Sequence, residues 1–197
     1  MNEQLKDLLY QMLETELGGV EVYTKALECV VNDELEEEWT KYLAQTERHV
    51  EVVSQLLSSL GLDPEAEIPG RQIVRHIGES LVQAMQMALG SDDEPEAAEL
   101  VACECVVFAE TKDHLNWELL SKFAEKCDVK EKQPITAACK EVEDQEDEHI
   151  YHSKGWCREL WIQALGMPAV LPPPEEERKV KTALGAAHAE KAREEML

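Results

Sequence analysis

Apolar residues recur along this chain at alternating spacings of three and four, the period of helices with one buried face. The first series is Leu5, Leu9, Met12, Gly19, Tyr23, Ala26 and Val30; the second is Leu35, Trp39, Tyr42, Val53, Leu56 and Leu60. A third runs through Leu100, Cys103, Val107 and Trp117, and a fourth through Ile135, Ala138, Val142, Trp156 and Leu160. Alternating β-branched runs are missing, and glycine and proline cluster at a few places, chiefly Gly61 to Pro64, Pro69 and Gly70, Gly90 to Pro95, Pro134, and Gly166 to Pro174. The pattern predicts an all-α fold with helix A over 2–31, helix B over 34–60, a shorter connecting helix over 71–89, helix C over 94–126 and helix D over 133–165. PAVLPPPEEE then breaks the pattern before a last, weakly apolar helix over 175–195.

Four helices of this length are each about 40–50 Å long at 1.5 Å rise per residue, so they must pack side by side. Short turns join A to B and C to D, which makes those pairs antiparallel, whereas B reaches C only through a long connection that carries its own helix. One long crossover is the connectivity of one class of four-helix bundle. The expected organisation is therefore a bundle over 1–166 followed by a proline-rich linker and helical tail over 167–197.

Each apolar series is interrupted at mid-helix by polar residues. Glu16 interrupts helix A, Thr46 and His49 interrupt helix B, Glu110 followed by His114 interrupts helix C, and Glu146 with His149 interrupts helix D. The interruptions share a level, because antiparallel helices bring together residues equidistant from the turn between them. Glu16 lies 16 residues before Asn32 and His49 lies 17 after it; Glu110 lies 20 before Lys130 and His149 lies 19 after it. The i to i+3 spacing of Glu146 and His149 puts both on one helix face. Uncompensated buried charge costs several kcal/mol, so carboxylates and imidazoles converging at one depth are most simply explained by a bound cation. Oxygen-rich donors with two histidines suit iron first and manganese second; no set of thiolates is aligned for structural zinc, and magnesium or calcium would not call for histidine.

Composition narrows the partners. The formal net charge is -23, from 42 acidic and 19 basic residues. Such a surface repels phosphate backbones and anionic headgroups, which argues against nucleic acid and membrane partners. The charged start MNEQLKDLLYQMLETE lacks the basic, apolar and cleavage regions of a secretory signal, so a cytoplasmic protein is expected. The six cysteines, Cys29, Cys103, Cys105, Cys127, Cys139 and Cys157, form no CxxC pair and are expected to be reduced and mostly buried. Trp117, Trp156 and Trp161 are expected in the core or an interface, and His152 on the helix surface beside Glu148.

Glu16 with Tyr23 seven residues on, the central histidine of helix B, an inward Glu110, and Glu146-Asp-Glu-His149 together resemble the ferritin-like carboxylate di-metal family over residues 2–165. The resemblance implies an up-down four-helix bundle with one long crossover. A single glutamate from each of two helices, here Glu16 and Glu110, and a Glu-x-x-His from each of the other two would bind two metal ions. Two irons are then the expected cofactor, with manganese the other choice and dioxygen or peroxide the small-molecule substrate of an oxidase- or peroxidase-type activity. A homodimer is the expected assembly.

Helix B departs from that motif: it reads Thr46-Glu47-Arg48-His49, without the glutamate. Gln45, one turn before His49, or His114, one turn after Glu110, could supply a replacement donor. On helix C, Glu104 competes with Glu110, since Glu104-x6-Thr111 parallels Glu16-x6-Tyr23 and Glu104 shares a stripe with Ala97, Val101, Phe108 and Leu115. Tyr23 is either a core aromatic with its hydroxyl satisfied or a neighbour of the site. The alternative to a redox enzyme is a non-catalytic helical scaffold or interaction protein with a degenerate metal site.

Overall fold

The computed structural model describes residues 2–91, 93–126 and 130–197. Cys127 therefore lies outside the described residues. The chain is all-helical, with no strand among the described residues. The long helices are α1 (Glu3–Cys29), α2 (Asp33–Ser59), α4 (Pro95–Lys126) and α5 (Lys132–Ala164), and α3 (Pro69–Leu89) lies in the connection between α2 and α4. Each expected bound falls within two residues of these. The expected helix over 175–195 is instead broken into α6 (Pro174–Glu177), α7 (Ala183–Ala192) and a 3₁₀ turn, Arg193–Glu195. Lys179, between α6 and α7, takes a left-handed backbone with φ 50°, which no continuous right-handed helix can contain.

The helix ends follow from local chemistry. The Asn2 side chain accepts from the Leu5 amide, and that of Asn32 accepts from the Glu34 and Leu35 amides, satisfying donors that a first turn leaves open. Buried Glu99 reaches from α4 to accept from the amides of Val31 and Asn32, at 2.8 and 2.7 Å. The α1–α2 turn is thereby tied to the start of α4.

The long helices contact one another in a closed ring, α1 with α2, α2 with α5, α5 with α4, and α4 with α1. Every neighbour in the ring is antiparallel. Between α1 and α4, Glu16 meets Trp117 and Tyr23 meets Glu110; between α2 and α5, Lys41 meets Glu148 and Arg48 meets Glu141. Each pair of rungs climbs one helix while descending the other. It follows that α2 and α4 point the same way, so the chain must travel back along the bundle between them, and α3 is that return. It runs parallel to α1, held by Arg71 and Arg75 on Glu14. The two helices approach closely where Gly18 meets Gly78: a Cβ on Gly78 would lie 3.6 Å from the Gly18 Cα.

Inside the ring the apolar core is split in two. One half is built from residues such as Leu9, Met12, Val53, Leu56, Leu120 and Ile135. The other contains Val22, Leu35, Trp39, Met85, Val106 and Trp156. The polar interruptions of the four long helices occupy the layer between them.

The buried face of α4 differs from expectation. It runs through Ala102, Val106, Glu110, Asp113, Trp117, Leu120 and Ala124, while Leu100, Val107 and His114 are only partly buried. This helix packs against α1, α3 and α5, and three neighbours rather than one set its rotation. Trp117 and Trp156 are buried, as expected, but Trp161 is exposed beyond the end of the packed face. Cys29, Cys103, Cys105, Cys139 and Cys157 are free thiols, all buried except Cys157, which is half-buried.

Candidate metal centre

Glu16 on α1, His49 on α2, Glu110 on α4, and Glu146 and His149 on α5 meet in the layer between the two cores, none more than 3% exposed. His49 Nδ1 lies 2.9 Å from Glu146 Oε1 and 3.6 Å from Glu16 Oε2. His149 Nδ1 lies 3.6 Å from Glu110 Oε2 and 3.7 Å from Glu146 Oε1. Glu16 thus meets His49, and Glu110 meets His149, as their distances from the two turns require. The donor atoms form two triads, Glu16–His49–Glu146 and Glu110–Glu146–His149, with ligand atoms in each within 4.8 Å of one another and Glu146 common to both.

Glu16 Oε2, His49 Nδ1, Glu110 Oε2, both Glu146 oxygens and His149 Nδ1 are buried without a hydrogen-bond partner. The imidazole–carboxylate approaches are close, but they lack hydrogen-bond alignment. Buried polar atoms are nearly always satisfied, and so many orphans in one place, all lone-pair donors, match what a pair of cations would coordinate.

Every other polar atom of these side chains is held from outside. His49 Nε2 donates to Gln145 Oε1 at 2.8 Å and His149 Nε2 to Gln45 Oε1 at 3.0 Å. An amide oxygen can only accept, so a proton sits on Nε2 of each ring, and Nδ1 is the nitrogen turned into the site. Tyr23 donates its hydroxyl to Glu110 Oε1 at 2.7 Å, and Trp117 its indole N–H to Glu16 Oε1 at 2.8 Å. Each of these aromatics lies seven residues after one glutamate and grips the other, a reciprocity produced by the antiparallel α1–α4 pair. Tyr23 is therefore a neighbour of the site with its hydroxyl satisfied, and Gln45 positions His149 through Nε2.

The electrostatics record crowded acids. Burial pushes the Glu146 carboxyl up, contact with His49 pulls it down, and the charges of Glu16 and Glu110 raise it again, leaving it at about 7. Burial opposes a charge on His49, but Glu146 and Glu16 outweigh it and raise its pKa to about 11. Burial and the adjacent Glu110 carboxylate hold the Tyr23 hydroxyl well above its ordinary range. A cation entering this layer would replace the proton that quiets these charges now.

One inward acid was not foreseen. Asp113, one turn after Glu110, is 5% exposed with Oδ1 unpartnered. Burial, then the charges of Glu146, Glu16 and Glu110, push its carboxyl well above the ordinary range. Its i+3 spacing from Glu110 was the available signal. Gln145 was also missed, although Gln-x-x-x-His occurs twice, at Gln45–His49 and Gln145–His149.

Other expectations need correction. Glu104 is exposed, on the face of α4 turned away from the other donors. His114 pairs with Asp147 at 2.8 Å, half-buried at the α4–α5 surface and apart from the cluster. Thr46 is buried but donates to the Tyr42 carbonyl at 3.0 Å, the usual local bond of a mid-helix threonine. His152 is buried rather than on the surface: Nδ1 lies 2.9 Å from Glu38 Oε1, and Nε2 lies 3.1 Å from the carbonyl of Val180 in the tail. Tyr42 and Trp156 also donate to Glu38. The Tyr42 ring lies 4.2 Å from that of His149, so this second polar cluster abuts the first.

No helix among the described residues is long and apolar enough to cross a membrane. Comparison of the chain with family models, with curated proteins and with solved structures yields no match.

Proposed function

We propose that this protein is a ferritin-like metalloprotein that binds two iron or manganese ions between its four long helices and acts on dioxygen or peroxide. The observation that carries the proposal is the convergence of six orphaned, buried donor atoms into two triads sharing Glu146. The ring of antiparallel helices with a single long crossover is the topology that such bundles use. Glu16, His49, Glu110, Glu146 and His149 would hold the ions, with Glu146 common to both donor triads.

When bound, iron or manganese would supply a one-electron redox change close to the protein-held carboxylates. The chain's own groups do the rest. Gln45 and Gln145 fix the histidine tautomers, Tyr23 and Trp117 fix the carboxylate rotamers, and the two apolar cores keep bulk water from the layer, which strengthens every charge interaction inside it.

The competing possibility is a helical scaffold with a degenerate site, favoured by Thr46, whose hydroxyl is committed to the backbone. Anaerobic titration of metal-free protein with ferrous iron separates the two. Two irons per chain, a raised melting temperature and near-ultraviolet ferric absorption after an oxygen pulse are expected. Substoichiometric iron with an unchanged melting temperature would establish the scaffold instead.

A further inference from the structure

A cavity lies outside the ring of long helices, in the seam where α3 packs across α1 and α4. Its volume is about 60 Å³, and Val22 from α1, Val74 and Leu81 from α3 and Ala109 from α4 give it apolar walls. Ile77 and Phe108 line it as well, and both are exposed, so the seam opens to solvent beside them. Gly18 and Gly78 also border it. A Cβ at either would rest at ordinary van der Waals distance from the opposite Cα, 3.9 and 3.6 Å, so helix packing alone does not demand glycine there. What the two glycines leave is room.

Glu14, Thr15 and Lys112 are the polar side chains of the lining. Glu14 is fully engaged, because Arg71 and Arg75 donate to its two oxygens. Thr15 donates to the Gln11 carbonyl and accepts from the Asn116 amide. Lys112 is different. A lysine that only covers apolar surface extends its ammonium into water; this one is half-buried and donates inward, to Oδ1 of the fully buried Asn116. An ammonium carries three donors, and Asn116 takes one. Although the chain has 42 acidic residues, no carboxylate among the described residues forms an ion pair with Lys112. A cation with open donors therefore stands at the edge of an apolar space.

We propose that this seam binds a short aliphatic monocarboxylate, its carboxylate on the Lys112 ammonium and its chain between α1, α3 and α4. At about 10–15 Å³ for each water-sized atom, the cavity takes about four to six heavy atoms. Longer chains would emerge beside Ile77 and Phe108. The net charge of -23 repels anions in general, so binding depends on this lysine locally. The site is separate from the metal centre and does not rest on the two-metal proposal.

The test is isothermal titration calorimetry on the full chain, free of metal and at low ionic strength, with acetate, butyrate, hexanoate, octanoate and hexanamide as probes. Hexanoate is expected to bind once per chain, with affinity rising about fourfold per methylene from acetate to hexanoate and levelling off at octanoate. Hexanamide, the uncharged match to hexanoate, should bind at least about 10-fold more weakly. Lys112→Met keeps the aliphatic stem and should lose that preference for the acid, whereas Lys112→Arg should keep it. Ala109→Leu fills the seam and should weaken hexanoate by about 10-fold. Equal affinities for hexanoate and hexanamide in wild type, or a Lys112→Met variant that binds hexanoate as wild type does, overturn the role of Lys112. A rise that continues to octanoate and ignores Ala109→Leu identifies adsorption on the exposed Phe108 surface and overturns the cavity. Wild type that binds none of the acids overturns the proposal outright. Should a variant fail to fold, the chain-length series and the hexanamide comparison in wild type decide the matter.

Discussion

Replacing Glu146 by Gln should make the metal-free protein more stable and the metal-loaded protein less so. The pKa of this carboxyl rises from the ordinary 4.5 to about 7 in the fold. Between those two pH values the native state holds a proton that the unfolded chain has released, so stability falls as pH climbs through that window and the penalty is complete above it. At about 1.36 kcal/mol per pH unit, ionising Glu146 at pH 8 costs the metal-free fold about 3 kcal/mol. An amide of the same shape removes that cost.

Metal acts in the opposite direction. A cation present at about 100 times its dissociation constant stabilises the native state by about 2.7 kcal/mol, so two such sites contribute about 5 kcal/mol. For a chain of this size that corresponds to about 10–20 °C in melting temperature. Because both triads use Glu146, Glu146→Gln should lose more than half of that increment. Thermal unfolding at pH 8, with and without manganese(II), measures both effects. A metal-free variant less stable than wild type would show that the pairing of Glu146 with a charged His49 outweighs the cost of burying its carboxylate, and a full metal-induced increment in the variant would remove Glu146 from the ligand set.

Three further outcomes are expected. Gln145→Leu and Gln45→Leu each free one histidine to change tautomer and should weaken metal binding by about 10–100-fold, read by competition with a chromophoric chelator. Burial and the neighbouring Glu38 carboxylate push Glu176 up to about 8, so the native state holds a proton there that the unfolded chain loses. Stability should decline as pH rises from about 4.5 to 8, and Glu176→Gln should flatten that part of the pH profile in denaturant titrations. Glu104→Gln should change stability by less than about 0.5 kcal/mol and leave metal content untouched; loss of an ion in that variant would return Glu104 to the site.

The hydrophobic period alone determined a large part of this protein. It located five helices, the all-α class, and the five residues, Glu16, His49, Glu110, Glu146 and His149, that break the buried stripes at one level. Local physics sufficed, because a helix face repeats every 3.6 residues and an antiparallel turn sets which residues are level. The phase of α4 was not available in the same way. Apolar residues such as Cys103, Val107 and Phe108 lie around much of its circumference, so His114 and Asp113 could exchange places on paper. Only contact with α1, α3 and α5 turned Asp113 inward and left Glu104 exposed. His152 likewise owes its burial to Val180, a residue 28 positions away in a tail whose path no local pattern prescribes. What tertiary structure decided, in each case, was a contact between segments far apart in the chain, set by the shape of the whole packed layer rather than by the composition of either segment.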